Sequence, residues 1–190
     1  HAEGRDHHAK IEIDLEDAYR GARRTISLRA PALDERGQVT LQERHLEVDI
    51  PKGIREGQHL RLPGQGSRGI GGGRAGDLYL EVAFRPHPRF RVDGRDVYVD
   101  LPLAPWEAAL GATVTAPTPE GHVQLTIPPG SPAGRKLRLK GKGLPSNPPG
   151  DLYAVLSVVA PKPDSASARE AYEALAHAFP HFDPRRQPTE

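Results

Sequence analysis

The segment 50–66, IPKGIREGQHLRLPGQG, is written a second time at 127–143 as IPPGSPAGRKLRLKGKG, with nine of 17 positions identical at an offset of 77. A second match follows in each copy, Gly76-Asp77-Leu78-Tyr79 and Gly150-Asp151-Leu152-Tyr153, now at an offset of 74. The chain is a tandem duplication in which the second copy is three residues shorter between the two matches. A period near 80 residues is too long for a solenoid unit and ample for a small domain, so two like modules are expected. Such an arrangement suits a scaffold that presents a surface better than one enclosed reaction centre.

Hydropathy alternation assigns the elements. Ile11, Ile13 and Leu15 place three apolar side chains on one face, as do Val97, Val99 and Leu101 in the second copy, and a period of two marks half-buried strands. Short helical segments at 16–21 and 105–111 each close on a glycine suited to a helix C-cap. Strands follow at 25–28 and 112–115, and Leu46, Val48 and Ile50 alternate up to Pro51. Leu60 and Leu62 begin another strand, and Leu78, Leu80, Val82 and Phe84 alternate like Leu152, Ala154, Leu156 and Val158. With turn signals about every 8–12 residues and no long helix before 165, the chain reads as mainly β: two tandem small antiparallel β-sandwich modules. The expected divisions are a linker remnant at 1–8, a first module at 9–94, a second at 95–163, and a helix with its tail at 164–190.

In that last segment Ser167 and Glu170 form an S-x-x-E capping box. Ala168, Ala171, Tyr172, Leu175 and Phe179 then share one helix face, which Pro180 ends. Lying beyond both modules, this face either packs back on the second module or meets a second copy of the chain.

Composition removes several function classes. Only 36% of residues are hydrophobic while Gly and Pro number 20 each, so each core is small and loops are abundant. A net charge of +1 does not of itself imply nucleic acid. The absence of Cys excludes disulfides and thiolate zinc sites. No Met is present, so the chain is expected to be a fragment of a longer protein. No apolar run approaches a membrane span and no signal-peptide pattern is visible, which predicts a cytoplasmic protein without a membrane partner.

Candidate chemistry is sparse. GQGSRG at 64–69 satisfies G-x-G-x-x-G, but the flexible IGGGRAGD follows where a dinucleotide site needs a helix, so it reads as a turn. The nine His are scattered without metal-ligand spacing, and no nucleophile elbow occurs. Neither a catalytic residue, a metal site nor a cofactor is expected, and the chain does not read as an enzyme. Arg20, Arg23 and Arg24 cluster before a strand, either as a solvated basic turn or as phosphate contacts for DNA. The first copy also carries Ile11, Ile13, Ile26, Leu28 and Leu80 on alternating strands. These are core residues or the lining of a shallow apolar groove, which beside a sheet edge would accept an extended peptide.

Several phrases together, V-x-I-P-x-G…G-x-x-L-R-L-x-G-x-G, G-D-L-Y, H-P-R-F-R-V-D-G-R-D-V, L-P-L-A-P-W-E-A-A-L-G and L-T-I-P-P-G-S-P-A-G, resemble the C-terminal substrate-binding region of J-domain co-chaperones, the DnaJ family. The resemblance runs from about residue 9 to 186, and the lack of Cys makes it similar to the zinc-free subclass. Leu175–Phe179 followed by Phe182-Asp183-Pro184-Arg185 resembles the tail of its curved-DNA-binding branch. The resemblance implies a homodimer formed through Ala168, Ala171, Tyr172, Leu175 and Phe179. It also implies binding of non-native polypeptides for transfer to a DnaK-type chaperone. Carried onto this chain, the family's groove comprises Ile11, Ile13, Ile26, Leu28 and Leu80, with Arg24 at the rim. The J domain's His-Pro-Asp motif is absent, since His87-Pro88 is followed by Arg89. The branch also implies non-specific DNA contact and a nucleoid setting as an alternative use, for which Arg20, Arg23 and Arg24 are the candidates.

Overall fold

The computed structural model describes residues 2–186, with residues 30–33 described by their backbone alone. In the first module a strand β1 (His7–Ile13) leads into a one-turn helix α1 (Leu15–Arg20), then a long hairpin of β2 (Ala22–Leu33) and β3 (Val39–Ile50). Strands β4 (His59–Leu62) and β5 (Leu78–Phe84) complete it, in a sheet of order β1-β5-β4. After β6 (Phe90–Asp93) the same series returns as β7 (Asp96–Leu103), α2 (Pro105–Leu110), β8 (Ala112–Thr118), β9 (Gly121–Ile127), β10 (Lys136–Leu139) and β11 (Leu152–Val158). Its sheet runs β10-β11-β7-β6, and β8 pairs with β9 as a second hairpin. A final helix α3 (Ala166–Ala178) follows. The mainly β, two-module fold with a C-terminal helix is thus as the duplication implies.

The sheets are not wholly antiparallel. β1 pairs with β5, and β7 with β11, in parallel, while β4 and β10 complete each sheet antiparallel to their neighbours. Alternation looks the same for either strand direction, so only the crossover through the helix, hairpin and β4 reveals it. Leu15 also belongs to α1 rather than to β1, and is buried there.

Two boundaries move. Residues 2–8, expected as a linker, are part of the first module. Ala2 and Ile70 exchange backbone bonds of 3.0 and 2.9 Å, Gly4 N–H donates to Arg74 O at 2.7 Å, and β1 begins at His7. Phe90–Asp93 belongs to the second module, because β6 pairs with β7 through the tight Gly94-Arg95 turn. The expected boundary at 94/95 therefore lies before Phe90. The Ser167 cap is also displaced: Ser165 is extended, and its hydroxyl accepts the Ala168 N–H at 3.1 Å. Ser167 is already helical, so its hydroxyl cannot fill that position. The tail beyond 186 lies outside the described residues.

The duplicated phrase and the duplicated Gly-Asp-Leu-Tyr act on each other. Asp77 accepts the Gly64 N–H at 2.9 Å and the Arg61 guanidinium at 2.8 Å. Asp151 accepts the Gly141 N–H at 2.8 Å and pairs with Arg138 at 2.9 Å. The backbone N–H of each Asp donates to the carboxylate at the mouth of the parallel strand, Asp6 at 2.7 Å and Asp96 at 2.8 Å. Gly76 and Gly150 precede these aspartates because a Cβ there would fall 2.1 Å from Arg5 O and 1.7 Å from Arg95 O. The amide hydrogen bond first, and the arginine with it, hold both carboxyls below the usual carboxylate range.

The modules touch through the same phrase. Gly53 N–H donates to Ala18 O at 2.7 Å, and a Cβ on Gly53 would lie 2.4 Å from Pro145 O in the second module. The buried Tyr19 hydroxyl donates to Lys142 O at 2.9 Å, and burial, with Glu120 second, pushes that phenol's pKa up.

Two outcomes follow from this geometry. Gly53 and its counterpart Gly130 both have positive φ, of 83° and 73°, but only Gly53 faces a neighbour. Gly130→Ala is expected to cost about 1–2 kcal/mol of strain, and Gly53→Ala at least about 1 kcal/mol more from the clash, as read from urea midpoints. Equal losses would show that the Pro145 contact does not hold the modules together. Second, a carboxyl with a depressed folded pKa contributes stability above its unfolded pKa of about 4. That stability is lost as pH falls through the folded value. Acid titration of stability should therefore show a loss below about pH 4 that is smaller in Asp77→Asn and Asp151→Asn. An unaltered acid slope in both variants would remove the aspartate clasps as its source.

Candidate functional site

A cleft of about 1000 Å³ opens in the first module between the start of β1, the outer half of the β2–β3 hairpin and the loop after β4. Ala9, Leu28 and Leu78 supply its apolar surface. Arg44 comes from β3, Gln65, Ser67 and Arg68 from the loop, and His7 from β1. Arg44 donates to Gln65 O at 3.1 Å and to Gln65 Oε1 at 2.8 Å, which ties the hairpin to the loop. His7 Nε2 and Ser67 Oγ lie 2.5 Å apart.

This cleft exists because the copies differ. The first hairpin has strands of 12 residues, the second strands of seven. Aligned from the shared Gly21/Gly111 and Pro51/Pro128 positions, Leu28 and Arg44 correspond to Thr118 and Gly121, where the second hairpin already turns. The loop between the duplicated phrase and Gly-Asp-Leu-Tyr is also longer by three residues in the first copy. Both additions line the same opening.

The structure divides the groove residues expected from sequence. Ile11, Ile13 and Leu80 are only 7%, 4% and 0% exposed, in one core with Leu15, Val48 and Ile50. Those three are core residues as placed here, because the helix and hairpin that follow β1 supply the other side of their packing. Ile26 is half-buried opposite Leu46 in the hairpin ladder, and Leu28 alone of the set lines the open cleft. Arg24 does not stand free at a rim: its Nε and Nη2 bind Asp17 at 2.9 and 2.6 Å. Arg44, Gln65, Ser67 and Arg68 were not singled out from sequence. The greater length of the first hairpin, for Arg44, and of the loop after β4, for Gln65, Ser67 and Arg68, was the available signal for them.

The basic cluster is likewise altered by its neighbours. Arg23 pairs with Glu47 at 2.7 Å and lies 3.8 Å from Asp49, and Arg24 pairs with Asp17, so two of the three DNA candidates are neutralised. Arg20 makes no ion pair among the described residues. No three of His, Asp and Glu gather as a metal site among the described residues.

Helix α3 buries none of its residues, and its Tyr172 hydroxyl reaches back only to Pro161 O. Packing against the second module is therefore not observed. Ala168 and Tyr172 are half-buried and Ala171 is exposed, while Leu175, Phe179 and Phe182 remain 51%, 60% and 72% exposed. No helix among the described residues is long and apolar enough to cross a membrane.

Comparison with known proteins agrees with this architecture. The family model described as the DnaJ C terminal domain matches residues 7–161. A relative from Coxiella burnetii named Curved DNA-binding protein is 49% identical over 185 residues, covering 97% of this chain and 59% of the relative. A protein of the same name from Salmonella arizonae is 48% identical over 189 residues, covering 98% of this chain and 61% of the relative. The chain spans about three-fifths of the length of the curated relatives it matches. With that match over both modules, and with the repeated sheet-and-hairpin unit beneath it, the chain belongs to the family of DnaJ C-terminal domains.

Proposed function

We propose that this chain is the substrate-binding part of a co-chaperone. It holds apolar segments of non-native polypeptides for transfer to a DnaK-type chaperone and catalyses no reaction of its own. The observation that carries this reading is the open cleft with an apolar floor, present in one module and without room in the shorter hairpin of the other. An extended segment laid there could add main-chain hydrogen bonds along the free edge of β1 while its side chains enter the cleft. Of the groove expected from sequence, Leu28 and the adjacent Ile26 remain the contact candidates, above a base formed by Ile11, Ile13 and Leu80.

The exposed face of α3 supports a dimer as part of the same reading. Leu175 and Phe179 are large apolar side chains left in water by a helix that packs on neither module, and burying such a face against its own copy is the ordinary remedy. A dimer would present two clefts to one client. A cytoplasmic setting accompanies this role.

A second reading, non-specific DNA contact in a nucleoid setting, is favoured by the name of the relatives, Curved DNA-binding protein. With Arg23 and Arg24 already paired, Arg20 is the one member of the cluster free to meet a phosphate. Binding that weakens steeply with salt and falls in the triple Arg20, Arg23, Arg24→Ala variant would support it. Salt-independent or undetectable binding would exclude it.

Leu28→Asp should raise the amount of protein needed to suppress aggregation of a heat-denatured client by roughly tenfold, because an ionised carboxylate resists burial against an apolar segment. Leu110→Asp, on a side chain 76% exposed in the second module, serves as the control and should protect as well as the parent. Equal protection by Leu28→Asp removes the cleft from client binding. In sedimentation, deleting 165–190 should convert a dimer to a monomer. A monomer before deletion, or a dimer after it, excludes assembly through α3.

A further inference from the structure

The cleft has a charge character that the apolar reading leaves unused. Among the described residues its lining contains no carboxylate. Arg44 is bonded only to the neutral Gln65, and Arg68 makes no hydrogen bond or ion pair among the described residues. Asp77 and Asp6, next in sequence to the lining residues Leu78 and His7, are already committed: Asp77 to Arg61 and Gly64, and Asp6 to the Asp77 N–H. Arg29 also lines the cleft; its ladder partner Glu43 does not, although Glu43 stands in sequence between the lining positions Gln42 and Arg44. In the same module Arg23, Arg24, Arg61 and Arg85 have carboxylate partners, whereas Arg20, which lies outside the cleft, is like Arg68 in having none among the described residues. Arg44 and Arg68, with Arg29 as a third guanidinium in the lining, have no carboxylate partner among the described residues and stand beside the apolar side chains Ala9, Leu28 and Leu78. They form a composite surface, one part for a hydrocarbon side chain and one for an anion.

We infer that the first-module cleft selects client segments by charge as well as by hydropathy: it takes an apolar residue flanked by Asp or Glu and disfavours one flanked by Lys or Arg. This rests on the polypeptide-binding reading above. Leu28, Leu78 and Ala9 meet the apolar residue, while Arg44 and Arg68 meet the acidic flank. A guanidinium binds a carboxylate with two parallel N–H donors and repels a cationic flank, so both attraction and repulsion contribute to the selection. A nucleic acid would use the cations and leave the apolar floor unoccupied, so a polypeptide is the occupant that satisfies both halves. The second module, whose hairpin turns before these positions, carries no such preference.

Fluorescence anisotropy at low ionic strength tests this, using three labelled peptides with one apolar centre and acidic, uncharged or basic flanks. The parent chain should bind the acidic peptide at least about tenfold more tightly than the basic one. Arg68→Glu, which breaks no internal contact, should reduce that ratio to one or below. Arg44→Lys keeps the charge but loses the forked geometry, and should lower the ratio less. A parent ratio of one or less, or a ratio unmoved by Arg68→Glu, overturns the inference. Failure of all three peptides to bind overturns the polypeptide reading itself. Displacement of the acidic peptide by a DNA oligonucleotide whose own binding is lost in Arg68→Glu would reassign the cleft to nucleic acid and overturn the inference equally.

Discussion

The aspartate clasp at each sheet is the interaction on which the rest depends. In each module one aspartate joins three pieces of chain: its carboxylate accepts from the loop glycine and the arginine of the antiparallel strand, and its backbone N–H donates to the aspartate at the mouth of the parallel strand. A parallel pair of strands has no tight turn to set its register, so the register must be set from outside the ladder. The clasp does this at the first residue pair, His7 against Leu78 and Val97 against Leu152. The glycine before each aspartate leaves room for the passing backbone of Arg5 or Arg95. This explains why two matches separated in sequence survive in both copies: they are the two halves of one contact.

On this repeated frame the copies diverge where no core residue is involved. The longer hairpin and the longer loop of the first module extend past the sheet, and Arg44 ties them together through Gln65. The space between these two extensions is the cleft, with Leu28 half-buried at its edge. The second module keeps the short hairpin and supplies the docking surface for Tyr19 and Gly53 instead. One copy is therefore suited to presenting a cleft and the other to holding it in place and leading to α3.

Much of the fold was legible in the order of residues. Alternation located most strands and the glycines located the turns; the chain between the modules turns Phe90 inward, with His87 Nδ1 accepting the Arg89 and Phe90 N–H groups at 3.0 and 3.2 Å. The site was less legible. Ile11 and Leu28 show the same alternation, yet one is covered by later elements and the other is at an opening. Arg23 and Arg24 looked like a basic patch because their partners, Glu47 and Asp17, are brought to them by the hairpin ladder and by α1. Arg44 and Arg68 stand 24 residues apart in sequence and carry no local signature.

By itself the sequence determined the duplication, the mainly β modules, the amphipathic terminal helix and the family, because each is written in short-range periodicity or in repeated words. Tertiary structure alone decided the strand directions, which apolar side chains are covered and which arginines keep an unbalanced charge. Those depend on what packs against a residue from far along the chain, and alternation specifies a face without specifying what covers it.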